Sequence, residues 1–129
     1  MIVDTSILVA ILKQEADADA LSAKMLAHPG KLQMSAANYV EAAIVVDGND
    51  DPALSADLDW LIDRFDIAIT PVSLSHARSA RQAYRRFGRG HHPARLNFGD
   101  CFAYALAVEE DQVLLFKGDD FSHTDVRRA

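Results

Sequence analysis

The chain of 129 residues lacks several features that would define a protein class at once. It has a single cysteine, Cys101, which excludes an intrachain disulfide and favours a reducing compartment such as the cytoplasm. The apolar segment Ile7–Leu12 is far too short to cross a bilayer, and the first residues lack the basic region of a signal peptide. No His or Cys pair has the spacing of zinc ligands, and no repeat or Ser/Gly linker divides the chain. These absences predict a cytoplasmic protein with one domain over residues 1–129 and no membrane segment.

Acidic residues are missing from one stretch of the chain that is rich in arginine. Residues 67–99 contain no Asp or Glu, although the whole chain has 19 acids and a net charge of −6. The same stretch contains six arginines, which are Arg78, Arg81, Arg85, Arg86, Arg89 and Arg95. This segregation predicts a positive surface on an acidic protein, which either binds the phosphate backbone of RNA or is only a solvated helix surface.

Strand-like and helix-like segments alternate along the chain, which is typical of an α/β fold with a parallel sheet covered on both faces. The first strand is expected at about Ile2–Asp4, and Ser6 can cap the helix that follows it. Ser35 or Asn38 is expected to open a later helix, and another is expected to open at Gly99–Asp100. Further strands are expected at residues 32–35, 67–70 and 113–116. Residues 126–129 are expected either to add a short strand or to fray.

Several acids follow predicted strands or open predicted helices, where the carboxyl ends of parallel strands share one edge of the sheet. These acids are Asp4, Glu41, Asp100 and the adjacent pair Asp119 and Asp120. Asp4 comes directly after Ile2 and Val3, so we expect it to be partly buried, and burying an unpaired charge costs several kcal/mol. Four crowded carboxylates predict a bound divalent cation, and ligands that are all oxygen favour Mg²⁺ or Mn²⁺ over zinc. The alternative for Asp100 and Asp119 is that each only caps a helix.

Such a site predicts metal-assisted hydrolysis of a phosphodiester. A metal-activated water would attack phosphorus, one carboxylate would accept its proton, and the arginines would hold flanking phosphates. Thr5 and Ser6 are expected to support the site by hydrogen bonding to the Asp4 carboxylate or to a metal-bound water. The alternative for these two residues is helix capping alone.

Three segments, together with Glu41, resemble the PIN-domain ribonucleases, and most closely the VapC toxins of bacterial VapBC toxin–antitoxin modules. The segments are residues 1–6 (MIVDTS), 96–101 (LNFGDC) and 114–121 (LLFKGDDF). The resemblance covers the whole chain and implies a three-layer α/β/α domain with a central parallel sheet of about five strands. It also implies an endoribonuclease that depends on Mg²⁺ or Mn²⁺ and cleaves RNA, often tRNA or rRNA. Its implied partners are a second copy in a homodimer and a cognate VapB-type antitoxin.

The resemblance also implies roles for particular acids. Asp4 and Asp100 match the best-defined metal ligands of the family, and Glu41 matches the third acid. The fourth acid is Asp119 or Asp120, with Asp119 preferred because Asp120, just before Phe121, can cap the final helix. The four acids Asp4, Glu41, Asp100 and Asp119 are therefore expected to be both catalytic and metal-binding.

Three other functions are weighed against this one. A phosphohydrolase that uses Asp4 as a nucleophile would usually have a second acid two residues later, where this chain has Ser6. A PIN-like module could bind nucleic acid or protein without catalysis, although the presence of all four acids argues against it. A PIN nuclease could also act on DNA flaps or in RNA processing.

Overall fold

The structure, a computed structural model, describes all residues from Met1 to Ala129. Four parallel strands form its sheet, and they are β1 (Ile2–Val3), β2 (Leu32–Ser35), β3 (Ile67–Thr70) and β4 (Leu114–Leu115). The strand order is β3-β2-β1-β4. The end of the chain adds a fifth segment, because Leu114 pairs in parallel with Arg128 and Ala129 N–H donates to the Leu114 carbonyl at 2.9 Å. The tail therefore joins the sheet rather than fraying.

Six helices connect and cover these strands. They are α1 (Thr5–Leu12), α2 (Ala18–Leu26), α3 (Ala36–Asp47), α4 (Pro52–Arg64), α5 (Leu74–Phe87) and α6 (Phe98–Glu109). A short 3₁₀ turn, Asp120–His123, follows β4. None of the helices combines the length and the apolar composition that a bilayer span requires.

The two residues of β1 face opposite sides of the sheet, as successive residues of a strand do. Ile2 packs into one apolar cluster with residues of α5 and α6, whereas Val3 packs into a second cluster with residues of α1 to α4. Both side chains are completely buried. Helices thus cover both faces of a parallel sheet, which confirms the predicted three-layer α/β/α fold.

Polar side chains fix the starts of the helices that lead into the site. Asp4 caps α1, because its carboxylate accepts the N–H of Ser6 at 3.0 Å. The expectation that Ser6 is the cap was wrong, since Ser6 lies inside the first turn and donates to the cap instead. Ser35 caps α3, which leaves Asn38 inside that helix.

The start of α6 differs slightly from the expectation. Asn97 is its cap, two residues before the predicted start, and its side chain accepts the N–H of Asp100 at 2.9 Å. The Asp100 carboxylate in turn accepts the N–H of Asn97 at 2.8 Å, which completes a capping box. The reciprocal bonds hold Asp100 at the very start of the helix.

Candidate active site

A cleft of about 260 Å³ opens beside the carboxyl ends of β1 and β4. This is the edge at which open α/β sheets bind their ligands. Its polar lining side chains come from segments that are distant in sequence, and they are Asp4, Thr5, Ser6, Glu41, Asn97, Asp100, Lys117 and Asp120. The structure therefore brings three of the predicted acids together with one member of the Asp119–Asp120 pair.

The fourth acid of the cleft is Asp120, whereas Asp119 was the preferred candidate from the sequence. Gly118 has a φ of +95°, so the chain turns sharply after β4, and Asp119 precedes the 3₁₀ turn that Asp120 begins. Phe121 is buried and packs against Phe116 with ring centroids 5.0 Å apart, which anchors the turn. With the turn anchored in this way, Asp120 lines the cleft and Asp119 does not.

Asp4 is the most deeply buried acid of the cleft, with 4 % of its surface exposed. Its Oδ2 accepts two hydrogen bonds from Ser6, one from the backbone N–H at 3.0 Å and one from the hydroxyl at 2.5 Å. The backbone N–H of Lys117 donates to the Ser6 hydroxyl oxygen at 3.0 Å, which leaves the hydroxyl proton for Asp4. Burial raises the pKa of Asp4, the bonds from Ser6 lower it, and the charge of Glu41 raises it further. Ser6 thus forms the hydrogen bond to the Asp4 carboxylate that was expected of it.

Thr5 supports Glu41 rather than Asp4, which corrects the expectation for this residue. The Thr5 hydroxyl lies 2.8 Å from Oε2 of Glu41 and 3.1 Å from the carbonyl oxygen of Asn38. Since a hydroxyl has one proton, the nearer carboxylate oxygen is its main acceptor. Asn38 Nδ2 reaches the same Glu41 oxygen at 3.3 Å.

Asp100 has a pKa raised to about 7, which is far above the usual range of an aspartate. Burial is the largest cause, and the hydrogen bond from the Asn97 N–H opposes it. The neighbouring carboxylates of Asp4, Asp120 and Glu41 raise the pKa further, because a second negative charge nearby disfavours ionisation. The charges of the other three acids of the cleft therefore all act on Asp100.

In three of these acids, all hydrogen bonds from the protein fall on a single oxygen. That oxygen is Oδ2 in Asp4, Oε2 in Glu41 and Oδ2 in Asp100. The second oxygen of each group accepts no hydrogen bond of normal geometry. Each carboxylate is thus oriented by one oxygen and offers the other to a ligand.

Lys117 is the only cationic residue that lines the cleft, and its ammonium group is bound elsewhere. Its Nζ contacts Glu15 and lies 2.7 Å from Asp17, and these hydrogen bonds raise the pKa of the lysine, the one to Asp17 most. The acids of the cleft consequently lack a basic side chain that would neutralise them.

The donor set suits a hard cation, since every charged ligand atom in the cleft is a carboxylate oxygen and no His or Cys lines it. No three acidic, His or Cys side chains already stand in a metal-binding arrangement. These crowded, partly desolvated carboxylates would nevertheless be stabilised by a shared cation. A cation would reduce the repulsion among them and neutralise charges that lack a partner in the protein.

The predicted arginine surface runs along α5 and the loop after it, and all six arginines are exposed. Arg86 is engaged in the protein, because it forms an ion pair with Asp125 at 2.8 Å and a hydrogen bond to Tyr104 at 3.3 Å. The other five arginines form no ion pair. Arg81 lines an apolar groove between α5 and α6 together with Tyr84 and the exposed side chain of Phe98. Phe98 stands between Asn97 and Asp100 in sequence, so this groove adjoins the acidic cleft.

Sequence reasoning missed three residues that shape the site, Asn38, Gly99 and Lys117. Asn38 was considered only as a helix cap, yet it is completely buried and contacts Glu41. The signal that could have found it is the spacing: an amide three residues before an acid in an apolar helix shares its face.

Comparisons with known proteins identify the family and the fold of the chain. The model of the PIN domain family matches residues 1–127. Ribonuclease VapC28 of Mycobacterium tuberculosis is 52 % identical over 130 aligned positions, which cover 100 % of this chain and 97 % of the relative. The crystal structure of VapC20 of the same species, a toxin that cleaves the sarcin-ricin loop, has a TM-score of 0.81 at 15 % identity and covers 99 % of this chain and 97 % of that one. A toxin–antitoxin complex from Klebsiella pneumoniae has a TM-score of 0.72 at 15 % identity, covering 96 % and 92 %.

Proposed function

Because the chain belongs to the PIN domain family and, within it, to the VapC ribonucleases, we propose that it is the toxin of a type II toxin–antitoxin module. Its activity is that of an endoribonuclease that hydrolyses phosphodiester bonds of RNA in the cytoplasm, with tRNA or rRNA as the substrate class. The observation that carries this proposal is the cleft in which three oriented carboxylates each leave one oxygen free.

The proposal includes Mg²⁺ or Mn²⁺ as the cofactor. Asp4, Glu41 and Asp100 would hold the ion, with Asp120 as the fourth acid in place of Asp119. A divalent ion bound by carboxylates lowers the pKa of water and offsets charge that develops on a phosphate. Ser6 and Thr5 keep Asp4 and Glu41 in their orientations.

Side chains of the cleft have two further roles, in proton transfer and in the exclusion of water. Asp120 is exposed and receives no hydrogen bond from the protein, so it is the acid best suited to accept a proton from the attacking water. Burial of Asp4 keeps bulk water away from the floor of the cleft. Because no basic side chain neutralises the acids, RNA enters only when a cation offsets their charge.

RNA binding is proposed for the groove beside the cleft. Arg81 and the other unpaired arginines of α5 and its following loop, Arg78, Arg85, Arg89 and Arg95, would contact phosphates. Phe98 leaves 78 % of its surface exposed, and an exposed aromatic ring beside a catalytic cleft suits stacking with an unpaired base. These features favour single-stranded or looped RNA as the substrate.

Two protein partners belong to the proposal. A VapB-type antitoxin is supported by the likeness of the fold to a toxin–antitoxin complex. A homodimer is supported by the exposed apolar side chains of Val40 and Ile44, which share one face of α3, because neighbouring exposed apolar groups mark association surfaces. Light scattering of the purified chain, alone and with the product of the neighbouring gene, tests both.

The decisive experiment is incubation of purified protein with total tRNA and rRNA. Discrete fragments are expected in Mg²⁺, and none in EDTA or with Asp100→Asn in Mg²⁺. A DNA oligonucleotide of matched sequence serves as the substrate control and should stay intact. RNA that is bound but left uncut by folded, antitoxin-free protein would instead identify a binding module.

A further inference from the structure

We propose that Asn38 and Gly99 are positioning residues that hold the Glu41 carboxylate in the cleft with one oxygen free for a cation. This inference rests on the proposed function and deepens it, because it identifies what prepares the third acid for metal binding. Neither residue touches the cleft's solvent as a ligand would. Both act through Glu41.

The side-chain amide of Asn38 links α3 to the first turn of α6. Its Nδ2 donates to Oε2 of Glu41 at 3.3 Å and to the carbonyl oxygen of Gly99 at 3.0 Å. Because both acceptors are oxygens, only the nitrogen of the amide can face them, and the orientation of the group is fixed. Asn38 precedes Glu41 by three residues on α3, so the two side chains lie on the same face of the helix.

The other end of the same amide shows that stability alone does not explain an asparagine here. Asn38 is completely buried, and its Oδ1 has no hydrogen-bond partner. A buried acceptor without a donor costs about 1–3 kcal/mol, which an apolar side chain of similar size would avoid. What the amide provides in return is its two donated hydrogen bonds, one to the Glu41 carboxylate and one to the Gly99 carbonyl that Glu41 lies against.

Gly99 provides the space that the Glu41 carboxylate occupies. A Cβ atom at position 99 would lie 2.1 Å from Oε2 of Glu41 and 2.5 Å from its Oε1. Gly99 is helical and is not among the glycines with positive φ, so its backbone conformation is open to other residues. The close approach of the carboxylate is therefore what excludes a side chain here.

These contacts converge on one oxygen of Glu41. Asn38 Nδ2 and the Thr5 hydroxyl both bind Oε2, and Gly99 lets the whole group lie against the start of α6. Oε1 accepts no hydrogen bond. Three elements, α1, α3 and α6, thus orient the carboxylate, and groups that orient a metal ligand typically change metal affinity or activity by about 10- to 100-fold when they are removed.

Asn38→Leu tests the amide, because leucine has a similar volume and lacks both donors. We expect its free energy of unfolding in urea to stay close to that of the wild type, since removal of the unpartnered Oδ1 offsets the loss of the two hydrogen bonds that the amide donates. We expect its affinity for Mn²⁺, measured by calorimetry, to fall about 10- to 100-fold. Retained Mn²⁺ affinity would overturn the proposal, and so would a loss of affinity accompanied by a large loss of stability, which a merely structural role predicts.

Gly99→Ala tests whether the absence of a side chain at position 99 is what makes room for the Glu41 carboxylate, and Gly48→Ala is its matched control. Gly48 ends α3 with an ordinary φ of −70° and does not line the cleft. Gly99→Ala should displace the Glu41 carboxylate in a crystal structure and weaken Mn²⁺ binding, while Gly48→Ala should keep wild-type affinity. An undisplaced Glu41 in Gly99→Ala would contradict the proposal.

A measurement without metal separates this proposal from the proposed function. The side-chain amide protons of Asn38 should exchange slowly with solvent in metal-free wild-type protein, because the residue is buried and both protons are bonded. Fast exchange would overturn the positioning role. If the wild type binds no Mn²⁺, the proposed use of a cation fails, while slow exchange and the Gly99→Ala structure still decide how Glu41 is held.

Discussion

Replacing Asp100 with asparagine is expected to stabilise the metal-free protein at neutral pH and above. Burial raises the pKa of the Asp100 carboxyl from 3.8 to about 7, although the hydrogen bond from Asn97 lowers it. A raised pKa means that the folded protein holds this proton more tightly than the unfolded chain does. The stability contributed by the group is therefore fully present below pH 3.8 and is lost as the pH rises toward 7.

The expected gain in the free energy of unfolding follows from the shift in the pKa of Asp100. Each pKa unit corresponds to about 1.4 kcal/mol, so the change from 3.8 to about 7 sets a ceiling of about 4 kcal/mol. Asp100 is only partly buried, and solvent screening reduces the expected gain to about 2 kcal/mol. The Asn97 N–H keeps an acceptor in the variant, because the amide oxygen can replace Oδ2 and preserve the cap of α6.

The assay is urea unfolding in EDTA at a series of pH values between about 4 and 8, the range in which ionisation of Asp100 changes the free energy of unfolding. Asp100→Asn should match the wild type at the acidic end and exceed it increasingly toward the alkaline end. Asp57→Asn, an exposed acid on α4 without hydrogen-bond or ion-pair partners, should show no such divergence. Adding Mn²⁺ should then favour the wild type, since only binding to the folded state adds stability.

Two results would refute the reasoning. A stability difference that does not change with pH would mean that Asp100 is not strained by desolvation and neighbouring charge. A variant that is less stable than the wild type at about pH 8 would mean that the ionised carboxylate is stabilised in the fold, for example by the partial positive charge at the start of α6.

Three further predictions concern the cleft and the surface beside it. Asp4→Asn should abolish cleavage without unfolding the protein, because asparagine can still accept the Ser6 hydrogen bonds; retained activity would contradict its role as a ligand. Neutralising Arg81 and Arg85 together should weaken the salt dependence of RNA binding, so that the slope of log K against log salt concentration becomes smaller in magnitude by about 1.4. Arg86→Gln should change this slope little, because Arg86 is paired with Asp125. Phe98→Ala should cost about 1–3 kcal/mol of RNA binding and leave stability and Mn²⁺ affinity unchanged; an unchanged RNA affinity would remove stacking from the proposal.

The sequence was sufficient to predict that Asp4, Glu41 and Asp100 lie together. Asp4 follows a buried strand and Asp100 opens a helix, and the geometry of parallel sheets brings such positions to one edge. The choice between Asp119 and Asp120 was not available from the sequence, because it depends on the turn at Gly118 and on the burial of Phe121. Adjacent residues differ only in orientation, and that orientation is set by packing.

The contact between Asn38 and Gly99 was beyond sequence reasoning for a related reason. The hydrogen bond between them joins positions 61 residues apart, and its geometry depends on how α3 packs against α6. No local pattern specifies that packing. Residues that bind a ligand directly are thus easier to predict than residues that hold them in place.

The two apolar clusters on either side of the sheet have a consequence for how the protein moves. Asp4 and Glu41 belong to elements that pack in the Val3 cluster, whereas Asp100 and Asp120 belong to the part of the chain that packs in the Ile2 cluster. The acidic cleft therefore lies where the two apolar clusters meet, and the repulsion among its acids acts to separate the two clusters. A cation bound by acids from both sides would hold the two clusters together. Amide protons throughout both clusters should then exchange more slowly than in the metal-free protein.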